Sequence, residues 1–61
     1  MNKDLTYINR LLLRYGIYVY DKNEETKIEM MKLEIRELYR NQLISKEEFI
    51  ESLTILRNRG V

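Results

Sequence analysis

The chain has 61 residues, of which 11 are Lys or Arg and 10 are Asp or Glu, so its formal net charge is +1. A chain this short supports one core and buries only about 60% of the surface that its unfolded form exposes, which excludes a core combined with a deep catalytic cleft. Because the sequence contains no Cys and no apolar run of about 18 residues, it excludes a disulfide framework, a thiolate metal site and a membrane-spanning helix. We expect residues 1–61 to form a single domain.

Apolar residues recur at helical spacing in the first part of the chain. At about 100° per residue, four of them fall on one stripe: Leu5, Ile8, Leu12 and Tyr15. Asp4 or Thr6 can cap this helix by accepting free backbone N–H groups. Gly16 follows at the position where a left-handed residue ends a helix at low cost. The pattern predicts a first helix that ends near Gly16.

The next four residues, 17–20, are β-branched or aromatic, and they predict extended backbone. A single short strand has no partner in this chain, so we interpret the segment as an extended connector laid across the helices. In that conformation Ile17 and Val19 face one side, while Tyr18 and Tyr20 face the other.

A second helix is predicted from about residue 24 to residue 41, with Asp21 or Asn23 as its cap. Its apolar stripe consists of Ile28, Met31, Ile35, Leu38 and Tyr39. Met30 and Leu33 do not belong to this stripe and point to the far side of the helix.

A capping box marks the start of the third helix. Ser45 is followed three residues later by Glu48, so that each side chain can satisfy the other residue's backbone N–H. Ile44 and Phe49 flank the cap at the spacing of a hydrophobic staple. The third stripe is formed by Phe49, Leu53 and Leu56. Ile55 points elsewhere, and Gly60 is predicted to end the helix.

These three stripes predict an all-α fold, a compact three-helix bundle with an extended connector between helices 1 and 2. The connection at residues 42–44 is short, so helices 2 and 3 are expected to form an angled or antiparallel pair.

Several of these motifs together resemble a known family. They are residues 12–16 (LLRYG), Val19-Tyr20, residues 37–39 (ELY), and Ile44 with Lys46-Glu47 ahead of Phe49. In this combination the chain resembles the YqgQ-like family of small uncharacterised bacterial proteins, over roughly residues 5–58. The resemblance implies a compact three-helix bundle, a cytoplasmic location and no established activity.

Residues 33–56 also resemble the short helical hairpins found at the ends of many bacterial proteins. Those hairpins read Leu-Tyr, then Gly-Leu-Ile-Ser/Thr and Glu-Glu-Phe, and this chain has Gln42 where they usually carry Gly. Such hairpins are thought to mediate oligomerisation, so the resemblance favours a binding role.

The residues available for chemistry argue against an enzyme. General acid–base catalysis most often uses histidine, and the chain has none. The two serines, Ser45 and Ser52, have no base partner in the pattern. Asp21, Asn23 and Glu25 alternate as in a calcium loop, but the required Gly and closing Glu are absent. We therefore expect no catalysis, no cofactor, no metal and no small-molecule substrate.

One candidate binding surface is basic and aromatic. Lys32, Arg36 and Arg40 are spaced four apart on the second helix, and Arg10 and Arg14 are spaced four apart on the first. Together with Tyr18 and Tyr20 they are the parts of a single-strand nucleic-acid binder, since arginine pairs with phosphate and aromatic rings stack on bases. However, a net charge of +1 is far below the basic footprint of a dedicated nucleic-acid binder.

The other candidate surface is apolar. Met30, Leu33 and Ile55 lie off their stripes, and together they would form a surface for a protein partner or a homodimer. Our leading prediction is a cytoplasmic, non-enzymatic module that acts by protein–protein interaction or self-association. The alternative is weak single-stranded nucleic-acid binding through the basic and tyrosine residues.

Overall fold

Three α-helices account for most of residues 4–59, the part of the chain that this computed structural model describes. They are α1 (Leu5–Arg14), α2 (Glu24–Arg40) and α3 (Lys46–Arg59). The predicted all-α, three-helix architecture is confirmed. The helix end predicted at Gly60 lies outside the described residues. Among residues 4–59, no helix combines the length and the apolar composition needed to cross a bilayer.

Side-chain caps start the first two helices and decide between the candidates that the sequence left open. The Asp4 carboxylate accepts the Thr6 backbone N–H at 2.9 Å, so Asp4 caps α1. The Asn23 side chain accepts the Thr26 N–H at 2.9 Å and caps α2. Asp21 accepts the Asn23 N–H at 2.8 Å, so it stabilises the turn that leads into the cap.

The capping box at the start of α3 is confirmed in both directions. The Glu48 N–H donates to Ser45 Oγ at 3.1 Å, and the Ser45 N–H donates to Glu48 Oε1 at 2.9 Å. Ile44 is buried and Phe49 packs against the core, as the staple requires. The reciprocal bonds satisfy two backbone N–H groups that would otherwise be free at the start of α3, and the staple fixes the angle at which the chain enters the helix.

α1 ends in a Schellman turn. The Ile17 N–H donates to the Leu12 carbonyl at 3.0 Å, and the Gly16 N–H donates to the Leu13 carbonyl at 2.9 Å. Gly16 has φ +74°, the left-handed conformation that glycine adopts without steric cost.

α2 ends in the same kind of turn, but with a residue that carries a β-carbon. The Leu43 N–H donates to the Leu38 carbonyl and the Gln42 N–H to the Tyr39 carbonyl, both at 2.9 Å. Gln42 therefore has φ 60°, in the left-handed region where an L-residue pays about 1–2 kcal/mol. The short turn between α2 and α3 is held at this energetic cost.

Hydrogen bonds from two tyrosines set the direction of α1. The Tyr15 hydroxyl, at the end of α1, donates to the Leu43 carbonyl at 2.6 Å, and the Tyr7 hydroxyl donates to Glu51 Oε1 at 3.3 Å. α1 therefore runs antiparallel to α3, and α3 makes its most extensive contact with α2. Because the end of α1 lies beside the turn that follows α2, residues 17–22 must return along the bundle to the start of α2.

The core is assembled from all three stripes and the connector. Its buried apolar members are Ile8, Leu11, Leu12, Val19, Ile28, Met31, Ile35, Leu38, Ile44 and Leu56. Val19 enters the core and Ile17 packs against it, whereas Tyr18 and Tyr20 are exposed, which confirms the predicted alternation. The radius of gyration is 10.6 Å, close to the roughly 10.5 Å expected for a compact chain of this length.

Ser52 is the polar exception in this core. Its side chain is fully buried on α3, and within the described residues its Oγ has no hydrogen-bond partner. A buried hydroxyl without a partner loses its bonds to water and gains nothing in return.

Replacing Gln42 with Gly relieves the left-handed strain of about 1–2 kcal/mol, and the extra freedom of glycine in the unfolded chain offsets part of this gain. We expect Gln42→Gly to raise the free energy of unfolding by about 0.5–1 kcal/mol, measured by urea denaturation followed with circular dichroism. Gly16→Ala is the matched control. An added β-carbon there meets no heavy atom within 4 Å, so only backbone strain applies, and stability should fall by about 1 kcal/mol. Equal or lower stability of Gln42→Gly would contradict the account of the turn.

The two serines provide a second matched pair. Ser52→Ala removes the buried hydroxyl and should raise the free energy of unfolding by about 1 kcal/mol. Ser45→Ala removes the cap of α3 and should lower it by a similar amount, about 1 kcal/mol. The same denaturation measurement checks both, and a loss of stability in Ser52→Ala would show that its hydroxyl is bonded in solution.

Candidate functional site

Two of the four basic residues of α2 are paired with carboxylates of the same helix. Lys32 Nζ lies 3.3 Å from Glu29 Oε2, and Arg40 Nη1 lies 3.4 Å from Glu37 Oε2, each across one helical turn. Arg36 is exposed and forms no ion pair with any described residue. Surface pairs of this kind contribute little to stability, but they reduce the net positive field of the helix.

On α1, one of the two predicted basic residues is paired with a carboxylate of another helix and the other is unpaired among the described residues. Arg14 Nη1 lies 3.7 Å from Glu48 Oε2 of α3, while Arg10 is exposed and makes no ion pair within residues 4–59. The structure thus divides the predicted basic set between two helices and pairs most of it with carboxylates.

The two connector tyrosines, which are the aromatic members of the predicted nucleic-acid set, are both exposed. Tyr18 is 76% exposed and Tyr20 is 66% exposed. They alternate with the inward-facing Ile17 and Val19, so their rings lie on the solvent side of the connector.

The predicted apolar surface is brought together only in part. Leu33 is 60% exposed, and Met30 is exposed one turn before it on the same outer side of α2. Ile55, in contrast, is half-buried and packs against the core. Its position follows from the packing of α3 against two helices. Ile55 lies one turn after Glu51, which contacts α1 through Tyr7, so this side of α3 is also covered.

A third surface was missed by reasoning from the sequence. The Tyr39 and Phe49 rings stack across the α2–α3 interface, with centroids 4.1 Å apart and planes within 7° of parallel. Tyr39 remains partly exposed, and the neighbouring Ile50 is 51% exposed. We call Tyr39, Phe49 and Ile50 the aromatic seat. The sequence pattern assigns Tyr39 to the core stripe of α2. Its place at the edge of that stripe and its polar hydroxyl are the features of the sequence that indicate partial exposure.

The carboxylates do not assemble into a metal site in the part of the chain that is described. No group of three or more Asp or Glu side chains among these residues lies close enough together to hold a metal ion. Those that cap helices or pair with cations, such as Glu48, are already engaged.

Comparison with known proteins agrees with the family resemblance carried by the capping and packing residues. The sequence model of the YqgQ-like family matches residues 3–60. The chain belongs to the YqgQ-like family. This YqgQ-like chain is also similar to the uncharacterized protein YqgQ of Bacillus subtilis (strain 168). The two are 38% identical over 50 residues, which cover 82% of this chain and 70% of that protein. No solved structure matches the chain.

Proposed function

We propose that this YqgQ-like protein is a non-enzymatic, cytoplasmic binding module that acts by protein–protein contact, including self-association, through the outer face of α2. The observation that carries the proposal is the exposure of Leu33 beside Met30. Two pairs of charges on this helix, Lys32–Glu29 and Arg40–Glu37, are already bridged, while Arg36, one turn after Leu33, forms no ion pair with a described residue. A partner can therefore cover the two apolar side chains without leaving those four charges unpaired. The absence of Cys suits a reducing compartment.

The size of this surface sets the expected affinity. Full burial of a Leu or Met side chain contributes about 1.5–3 kcal/mol, and both residues are already partly covered. A symmetric contact doubles the contribution, but association also costs translational and rotational freedom. A dissociation constant of about 0.1–1 mM, equivalent to roughly 4–5.5 kcal/mol, is consistent with these terms. Self-association through α2 is thus expected to be weak and reversible.

Sedimentation velocity over a range of protein concentrations tests this proposal. We expect the weight-average sedimentation coefficient to rise towards that of a dimer at about 1 mM protein. Leu33→Gln should abolish the rise. Leu13→Gln is the matched control, because Leu13 is an exposed leucine on α1 with a similar exposed fraction, 55%. A rise that survives Leu33→Gln would contradict the assignment to α2.

If the wild-type chain stays monomeric at that concentration, the same surface must contact another protein. A photo-crosslinking residue introduced at position 33 should then give a discrete protein adduct in cells, and the same residue at position 13 should not. Absence of a position-33 adduct in addition to a monomeric chain would exclude protein–protein contact through this face.

A second candidate function is single-stranded nucleic-acid binding, favoured by the exposure of Tyr18 and Tyr20 on the same side of the connector. Stacking on aromatic rings contributes about 1–3 kcal/mol per base. Arg10 and Arg36, which have no carboxylate partner among the described residues, are free to contact phosphate.

Fluorescence anisotropy of a labelled single-stranded oligonucleotide tests this alternative. Binding through about four basic residues should weaken tenfold or more when salt is raised from ~50 to ~200 mM, because the counterions released on binding gain less entropy at the higher salt concentration. Arg36→Glu/Arg40→Glu should remove the binding, and Tyr18→Leu/Tyr20→Leu should weaken it while leaving the salt slope unchanged. A flat titration at low salt would exclude this function.

A further inference from the structure

The aromatic seat is built on rigid parts of the bundle. The Tyr39–Phe49 stack lies in the most extensive helix–helix interface, close to the turn that joins the two helices. On one side of that turn, hydrogen bonds end α2, and on the other the Ser45–Glu48 capping box begins α3. The free-energy cost of ordering this surface on ligand binding is therefore small, which favours affinity.

Unpaired positive charge flanks the seat on both helices. Arg36 lies one turn before Tyr39, and Lys46 lies one turn before both Phe49 and Ile50. Both cations are exposed, and neither forms an ion pair within residues 4–59. This distinguishes them from Lys32, Arg40 and Arg14, whose charges are paired.

The carboxylates near the seat are mostly engaged elsewhere. Glu48 pairs with Arg14 and bonds the Ser45 N–H, and Glu37 pairs with Arg40. Glu47 lies one turn before Ile50, is exposed and forms no ion pair within residues 4–59, so it places one carboxylate at the edge of the seat. The apolar surface is therefore bordered by two unpaired cations and one carboxylate, and this border of net positive charge is complementary to an apolar ligand that carries carboxylates.

We propose that the aromatic seat docks an acidic amphipathic helical segment of a partner protein, with an aliphatic or aromatic side chain on Tyr39 and Ile50 and carboxylates on Arg36 and Lys46. A nucleic acid fits this surface less well. Ile50 offers no ring for base stacking, and Tyr39 and Phe49 use one ring face each to stack on one another. The seat is a different surface from the Met30–Leu33 face of α2, so it adds a second contact to the proposed binding role.

The full-length protein can be titrated against a fluorescein-labelled model peptide. The probe is a peptide of about four helical turns, with Leu and Phe at helical spacing on a glutamate background. We expect saturable anisotropy changes at micromolar to submillimolar protein. We also expect binding to weaken about fivefold or more in Arg36→Glu, in Lys46→Glu and in Ile50→Ser. In a two-dimensional NMR titration, the largest shift changes should fall on Tyr39, Phe49 and Ile50.

Matched controls separate this docking from general charge attraction. Arg10→Glu removes an equally unpaired arginine from α1, and it should leave the peptide affinity within about twofold. Leu33→Gln should also leave it unchanged, so failure here is distinguishable from failure of the α2 proposal. A glutamate-to-lysine peptide and a peptide with Ser in place of Leu and Phe should both fail to bind.

Four results would each overturn the proposal. They are no binding of the acidic peptide at about 1 mM protein, equal binding of the Ser-substituted peptide, an equal loss in Arg10→Glu, and tighter binding of a single-stranded oligonucleotide that displaces the peptide. The last result would assign the seat to nucleic acid. Circular dichroism confirms that each variant is folded, and Lys46→Glu places its new carboxylate in the first turn of α3, where the helix dipole favours it.

Discussion

The architecture depends on one junction, at which α1 ends, α2 ends and α3 begins. The Tyr15 hydroxyl closes this junction by donating to the Leu43 carbonyl at 2.6 Å. Leu43 is itself held by the turn that ends α2, and Arg14 reaches Glu48 in the first turn of α3. A chain with so small a core gains from linking three helix ends at one place, because each polar contact restrains two elements at once.

The surfaces of the protein follow from this junction. Since it brings the ends of α1 and α2 together, the connector must cross back along the bundle to reach the start of α2. Crossing in extended form places Val19 in the core and Tyr18 in solvent. At the other side of the junction, the short turn sets α2 against α3 closely enough for Tyr39 to stack on Phe49. The aromatic seat is thus a product of helix pairing, while the exposed tyrosines are a product of the crossover.

Charge pairing distinguishes the surfaces from one another. Among the described cations, Lys32, Arg40 and Arg14 are paired with carboxylates. Arg36 and Lys46 are left without such partners on either side of the aromatic seat. Two neutralised charge pairs lie around the Met30–Leu33 face of α2, which suits an apolar contact, whereas the seat has a border of net positive charge and suits an acidic one.

The sequence by itself determined the features that depend on residues within about five positions of each other. These include the three helices, the Ser45–Glu48 capping box and the inward turn of Val19, since capping and periodicity are local in origin. Even here the local pattern left the choice between Asp21 and Asn23 open, and geometry settled it.

The tertiary structure alone decided which apolar residues outside the stripes are exposed to solvent. Ile55 turned to the core and Ile50 to solvent because α3 packs against two helices, and a stripe read along one helix does not show how many neighbours cover it. The pairing of Arg14 with Glu48 joins residues 34 positions apart in sequence, beyond the reach of any local pattern. Gln42 accepts a left-handed backbone for a similar reason, since the geometry that joins α2 to α3 requires it whichever residue is present.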